Sequence, residues 1–210
     1  MILSAERRHS LALKAEQYAG NVEEVLSYLA TRGISEETAD LFGLGYVTDG
    51  QFAGRLSIPY ITPNGVIQIK YRCLNDAHEV GGKHDCSAKY LGEAGCESHL
   101  FNARALIGAG DIAVLTEGEM DAISVQSATG MPSVGYPGVK NWKPFYRLCF
   151  EGVREVVIVA DGDDVGRRTA KQVAEKLGMV ARVVDLGDGY DSNSFLNHFG
   201  TEKFLERLDI

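Results

Sequence analysis

The sequence predicts an α+β amino-terminal subdomain over residues 1–108, followed by an α/β domain over residues 109–210 whose parallel central sheet carries helices on both faces. Two observations carry the second half. Continuous apolar runs such as "IAVLTE" and "EVVIVA" alternate with helical stretches, and strands apolar on both faces belong in parallel sheets covered on both sides. One observation carries the first half: from Arg55 the apolar period drops to two across "TPNG", where Asn-Gly is a strong hairpin turn signal.

The elements follow in order. The first 50 residues read as helical: Asn21 with Glu24 suggests a variant capping box, after which Val22, Val25, Leu26 and Leu29 recur at helical spacing until Gly33. A short second helix follows Ser35, with Ala39, Leu41 and Phe42 as its apolar residues, and "FGLGYV" ends it. The strands "RLSIPYI" and "VIQIKYR" form an antiparallel hairpin. In the second strand Ile67, Ile69 and Tyr71 alternate with Gln68, Lys70 and Arg72, so one face is apolar and the other basic. Pro59 puts the first strand at an edge or a bulge. Residues 73–100 are mostly loop, with "AKYLG" as a short strand that presents Lys89.

Beyond Gly108 the expected order is strand "IAVLTE", helix "EMDAISVQSAT", short strand "PSVG", helix "WKPFYRLCF", strand "EVVIVA", helix Asp164–Leu177 and strand "VARVVDL". A last helix spans Asn193 to Ile210.

Bulk properties narrow the class. At 210 residues and 45% hydrophobic the chain can bury a sizeable core. Its apolar runs fall far short of the roughly 20 residues that span a bilayer, and the opening "MILSAERRHS" does not read as a signal peptide. No membrane is expected, and a cytoplasmic location is. The four cysteines form no C-x-x-C pair and read as reduced thiols. His78, His84, Cys86, Cys96 and His99 fit no usual zinc spacing and read as loop residues. The net charge of −8 argues against a nucleic-acid partner, but the charge is segregated. Residues 109–210 hold 11 basic and 16 acidic residues, whereas residues 54–72 hold Arg55, Lys70 and Arg72 and no acid.

In open α/β sheets functional groups gather at the carboxyl ends of the strands. Two such ends are acidic here: Glu117, with Asp121 one helical turn on, and Asp161, with Asp163 and Asp164 directly behind it. A third loop, "DLGDGYDSN", adds Asp185, Asp188 and Asp191. Crowded carboxylates repel one another, so the cluster needs a counter-charge or a task, and a divalent cation supplies both. Glu117, Asp161 and Asp163 are the expected metal-binding core, whereas Asp164 is expected to cap the next helix.

"TEGEMDAISV" followed by "VADGDDVGRRTA" resembles the Toprim domain shared by primases, topoisomerases, recombination mediators and a class of nucleases. The amino-terminal half narrows the choice. "VLSYLATRGISEETADLFGLGYV", "GRLSIPYITPNGVIQIKYRCLND", "AKYLG" and "HLFNARAL" are similar, in order, to segments of the RNA polymerase core of DnaG-type primases. The resemblance runs from about Val25 to Gly200 and implies metal-dependent synthesis of RNA primers from ribonucleoside triphosphates on single-stranded DNA during replication. It implies Mg2+ or Mn2+ as cofactor. Glu117, Asp161 and Asp163 would be catalytic, and Asp121 and Asp191 would complete the metal ligands. Arg55, Lys70, Arg72 and Lys89 would contact template or nucleotide. A replicative helicase and a separate zinc-binding module are the expected partners, in a bacterial or phage-infected cytoplasm. The chain is expected to lack the family's amino-terminal zinc ribbon and to be an excised fragment or a compact, phage-encoded primase.

The sequence departs from the family pattern at Gly92, at His99 and at Asn193, which stands where the family has the second aspartate of its third acidic motif. The alternatives are a Toprim nuclease using the same acids for hydrolysis and a non-catalytic repair or recombination protein. A topoisomerase lacks support, because no further domain offers a tyrosine and gate.

Overall fold

The computed structural model describes residues 3–75, 88–93, 95–178 and 180–210, and the chain divides into two compact units, Met1–Glu97 and Ser98–Ile210.

The first unit opens with α1 (Ala5–Ala19), capped by Ser4, whose side chain accepts from the Arg7 amide. A 3-10 turn over Val22–Val25 leads into α2 (Leu26–Thr31). The expected capping box at Asn21 is not formed: its side chain donates back to the Gln17 carbonyl at the end of α1 instead. α3 (Glu36–Phe42) starts at Ser35, which accepts from the Thr38 amide. It buries Ala39 and Phe42 but leaves Leu41 outside.

The antiparallel sheet of this unit runs in the order β1 (Gly45–Tyr46), β2 (Arg55–Thr62), β3 (Gly65–Cys73), β4 (Tyr90–Gly92). The hairpin closes on the Thr62–Gly65 pair, with Gly65 at φ +98°. β1 pairs only with Leu56 and Ser57, so β2 is an open edge by Pro59, and its register shifts just beyond, between Tyr60 and Ile61. Both expectations for Pro59, edge and bulge, meet in one strand. α1 lays Leu11, Ala15 and Tyr18 against Val66, Ile69 and Tyr71, and Phe52 stacks on Tyr71 at 3.9 Å between centroids. Glu93, beyond β4, ties α1 down by pairing with Arg7 and with Lys14 (2.7 Å). Burial alone would raise its carboxyl, but the two cations and the Tyr71 hydroxyl overcome this and hold it below the usual range.

The second unit holds β5 (Ile112–Thr116), α4 (Glu119–Thr129), β6 (Ser133–Gly135), β7 (Glu155–Ala160), α5 (Asp164–Leu177), β8 (Ala181–Asp185) and α6 (Ser192–Leu208). The strand order is β6-β5-β7-β8, and every pairing is parallel. Side chains alternate between two cores. Ala113, Leu115, Val156 and Ile158 meet Ala170 and Val173 of α5, whereas Val114, Val157 and Val159 meet Val125 of α4 and Phe195, Phe204 and Leu208 of α6. The expected helix at "WKPFYRLCF" is a 3-10 segment, Pro144–Phe150.

The second unit begins ahead of residue 109 because Ser98 to Leu106 is packed into it. Phe101 bridges Gly135, the Tyr146 hydroxyl donates to the Ser98 carbonyl, and Leu100 joins the core under α5. Among the described residues no helix is long and apolar enough to cross a membrane. His78, His84 and Cys86 lie outside the described residues.

Candidate active site

Because all four strands of the second unit are parallel, their carboxyl ends share one edge of the sheet. Glu117 follows β5, Tyr136 follows β6, Asp161 follows β7, and the loop to Asp191 follows β8. The geometry of each turn comes from local chemistry. At Gly118 a Cβ would lie 2.6 Å from Asp121 Oδ2, so glycine leaves room for that carboxylate to fold back over the start of α4. Asp121 is buried, and its Oδ1 accepts from the Asn193 amide at 3.0 Å. Asp163, and not Asp164, caps α5: its Oδ1 accepts from the Gly166 amide at 2.6 Å, while Asp164 is the first helical residue and fully exposed. Asp191 caps α6 in a reciprocal box with Ser194. Capping occupies one oxygen of each residue and leaves carboxylate lone pairs for other partners.

Electrostatics join these turns into one group. Burial pushes the Asp161 carboxyl up to about 7, and the negative charges of Asp121, Glu117, Asp191 and Asp163 add to it. Glu117 is raised for the same reasons, burial first and then Asp163, against a lowering hydrogen bond from the Tyr136 hydroxyl to Oε2 at 3.4 Å. All five predicted acids therefore act on one neighbourhood. Asp185 and Asp188 do not share it: Arg167 holds Asp185 at 2.6 Å and also pairs with Asp188.

Two further residues bond to these acids: Tyr136, which the sequence does not single out, and Asn193, which it marks only as a departure from the family pattern. Tyr136 is buried, and its hydroxyl is pushed far up by burial and the surrounding acids, so it remains a donor. Its place directly after a strand of the parallel sheet is the signal that marks it. Asn193 is also buried; its amide serves Asp121 and its side chain donates to Ser124 Oγ at 2.6 Å. The departure from the family's aspartate thus pins the start of α6 to α4. Tyr136→Phe removes the one interaction that lowers Glu117. Its expected effect is a roughly tenfold loss of activity, with the acid limb of the pH–rate profile moved to higher pH; an unmoved limb would remove Tyr136 from the site.

The predicted cations in the first unit have different surroundings. Arg72 is buried, with Nε on the Tyr28 hydroxyl (2.7 Å) and Nη1 on the Tyr90 hydroxyl (2.6 Å). Arg55 is buried and donates to the Ala88 carbonyl at 3.0 Å. Lys70 is half-buried, 5.5 Å and 5.9 Å from the ring centroids of Tyr60 and Tyr90, and Lys89 is exposed. The polar side of β3 is therefore not the open basic face that its alternation suggests, because tyrosines from other elements cover it. Arg72→Met leaves two hydroxyls without their charged partner. It should destabilise the protein by roughly 2–4 kcal/mol in urea unfolding, and a change below ~0.5 kcal/mol would contradict this.

Among the described residues no group of three or more His, Cys, Asp or Glu side chains is placed to cage a metal ion unaided. The donor set nevertheless fits a hard divalent ion, being all oxygen and carrying an Asp161 charge that burial and its neighbours disfavour. Magnesium is typically held by one or two carboxylates together with waters and substrate phosphates.

A parallel sheet with a Glu-Gly turn and an Asp-Gly-Asp turn at adjacent strand ends defines a Toprim domain, and residues 112–202 match the Toprim domain family. Over 162 residues the chain is 38% identical to the Gene 57 protein of Mycobacterium phage D29, covering 75% of this chain and 99% of that protein. It is 33% identical over 230 residues to a DNA primase of Aquifex aeolicus, covering 88% of this chain but only 44% of that protein. The fold matches the crystal structure of the zinc-binding and RNA polymerase domains of Aquifex aeolicus primase with a TM-score of 0.81 at 22% identity, over 99% of this chain and 62% of that one. The chain belongs to one family with the Gene 57 protein of that phage, carries a Toprim domain, and has the fold of the DnaG catalytic core.

Proposed function

We propose that the chain is the RNA polymerase core of a DNA primase, making short RNA primers from ribonucleoside triphosphates on single-stranded DNA during replication. The observation that carries this reading is the convergence of Glu117, Asp121, Asp161, Asp163 and Asp191 at one strand-end edge of a primase-type Toprim fold, where burial first and then the four neighbouring charges push Asp161 up to about 7.

The reaction is attack of a primer 3′-hydroxyl on the α-phosphate of a ribonucleotide, with pyrophosphate leaving. Asp161 and Asp163 would hold Mg2+ or Mn2+, with Glu117, Asp121 and Asp191 completing the negative shell. When bound, such an ion stabilises charge on the attacking and leaving oxygens. Glu117, raised by burial, is suited to take the hydroxyl proton. Tyr136 orients it, and Asn193 holds Asp121 in place. Of the four predicted cations, Lys89 and Lys70 are the ones with exposed or half-exposed side chains to offer phosphates, while Arg72 braces the strand that carries Lys70 and Arg55 ties β2 to the segment ahead of β4. A cytoplasmic setting, a replicative helicase and a zinc-binding module on another polypeptide complete the reading.

The test is incorporation of labelled ribonucleotides on single-stranded DNA with Mg2+ or Mn2+, with and without a supplied zinc module, comparing the parent with Asp161→Ala. Primers should form with the parent and fall by roughly 10²-fold or more with the variant. Cutting of the template without ribonucleotides, and no primers under any condition, would replace the polymerase with a nuclease acting through the same acids.

A further inference from the structure

Beside the carboxylates stands a group of aromatic rings that the acids do not use. Tyr190, directly before Asp191, lies 5.2 Å from Phe199, 5.9 Å from His198 and 5.8 Å from Phe195, centroid to centroid, and His198 and Phe199 are 4.4 Å apart. Phe195 is buried and belongs to the core of α6, whereas Tyr190 is half-buried, His198 is exposed and Phe199 is 43% exposed. Tyr190 packs its inner side against the core that Phe195 and Phe204 fill, whereas His198 and Phe199 lie outside that core. The chain also presents Phe199 deliberately: Gly200 takes φ +80° inside α6, breaking the helix directly after that ring.

This platform is fixed to the acidic turn. The Gly162 amide donates to the Tyr190 carbonyl at 2.8 Å, and the Gly189 amide donates back to the Gly162 carbonyl at 2.8 Å. Gly162 lies between Asp161 and Asp163, so the rings and the two carboxylates share one hydrogen-bonded turn.

We infer that Tyr190, His198 and Phe199 form a stacking platform for the base of a ribonucleotide whose phosphates lie at the carboxylate site. This rests on the proposed nucleotide-binding role of that site. The occupant follows from chemistry and size. Three partly exposed rings fall far short of the ~1,000 Å² that a stable protein partner covers. Without a metal ion a bare phosphate is repelled by Asp191, whereas a neutral π-face is accepted beside it, and every base has one whatever its sequence identity. The platform thus adds affinity for nucleotides without choosing among the four.

Binding of ATP and of inorganic tripolyphosphate, each with Mn2+, separates this from the phosphate site by calorimetry. The parent should bind ATP more tightly than tripolyphosphate. Phe199→Ala combined with His198→Ala should weaken ATP roughly tenfold and leave tripolyphosphate unchanged, Phe199→Trp should keep ATP binding, and Asp161→Ala should weaken both ligands. Equal binding of the two ligands by the parent, no binding of either, or equal losses for both in the double variant would overturn the platform. Absence of primer synthesis with the ATP-selective loss intact would instead remove the polymerase reading and leave the platform standing.

Discussion

Asp161→Asn, in metal-free buffer at pH 8, should make the protein more stable than its parent by on the order of 3 kcal/mol while abolishing the proposed primer synthesis. The parent's Asp161 is raised from 3.8 to about 7 by burial and four nearby carboxylates. Between about pH 4 and 7 the folded protein therefore keeps a proton that the unfolded chain has released, so stability falls as pH rises across that window. Above pH 7 the whole penalty is present, and every tenfold difference in proton affinity between the folded and unfolded chain is worth ~1.4 kcal/mol. Glu117 is raised too and works in the same direction. An asparagine there has no charge to desolvate, and it relieves its acidic neighbours as well. Mg2+ or Mn2+ should reverse the order by stabilising the parent and leaving the variant unmoved. Denaturant unfolding from pH 4 to 8, with chelator or with Mn2+, checks both parts. A parent whose metal-free stability is level across that range would sink the account.

The sequence made the scaffold of this site readable and hid much of its wiring. The strands "IAVLTE" and "EVVIVA" show themselves because both of their faces are buried, and helices α4 and α5 begin and end at the bounds of "EMDAISVQSAT" and Asp164–Leu177. The acids were legible for a related reason: charge directly behind a buried strand has few explanations. What stayed hidden depends on long-range pairing. Alternation in β3 reveals two faces but not that Tyr28 and Tyr90 close over Arg72, since those residues come from distant segments. Likewise, Asn193 looks like a lost ligand until its side chain is found donating to Ser124, 69 positions away in the chain. The cap of α5 is a local ambiguity, because in "DGDD" either of two neighbouring aspartates can begin a helix and only the backbone angles decide.

Gly162→Ala should lower the proposed primer synthesis by roughly 10²-fold and stability by about 2–4 kcal/mol, although it adds a single methyl group. A Cβ at this position would lie 2.0 Å from the Gly187 carbonyl oxygen, 2.8 Å from the Tyr190 amide nitrogen and 2.9 Å from the Gly189 amide nitrogen. All three obstacles are backbone atoms, so no rotamer change can relieve the clash. Either the turn between Asp161 and Asp163 or the loop 187–190 must move, and both hydrogen bonds that join them are then lost. Moving the turn shifts two acids of the site, and moving the loop shifts Asp191 together with the cap of α6. Gly189→Ala is the matched control. Its Cβ would meet nothing within 4 Å, and only its φ of +82° opposes a side chain, a strain of roughly 1–2 kcal/mol. It should lose stability but keep most of the activity. Urea unfolding and primer synthesis measured on both variants separate the two mechanisms: if Gly162→Ala retains parental activity, the close approach of these two loops is not what holds the acidic site in register.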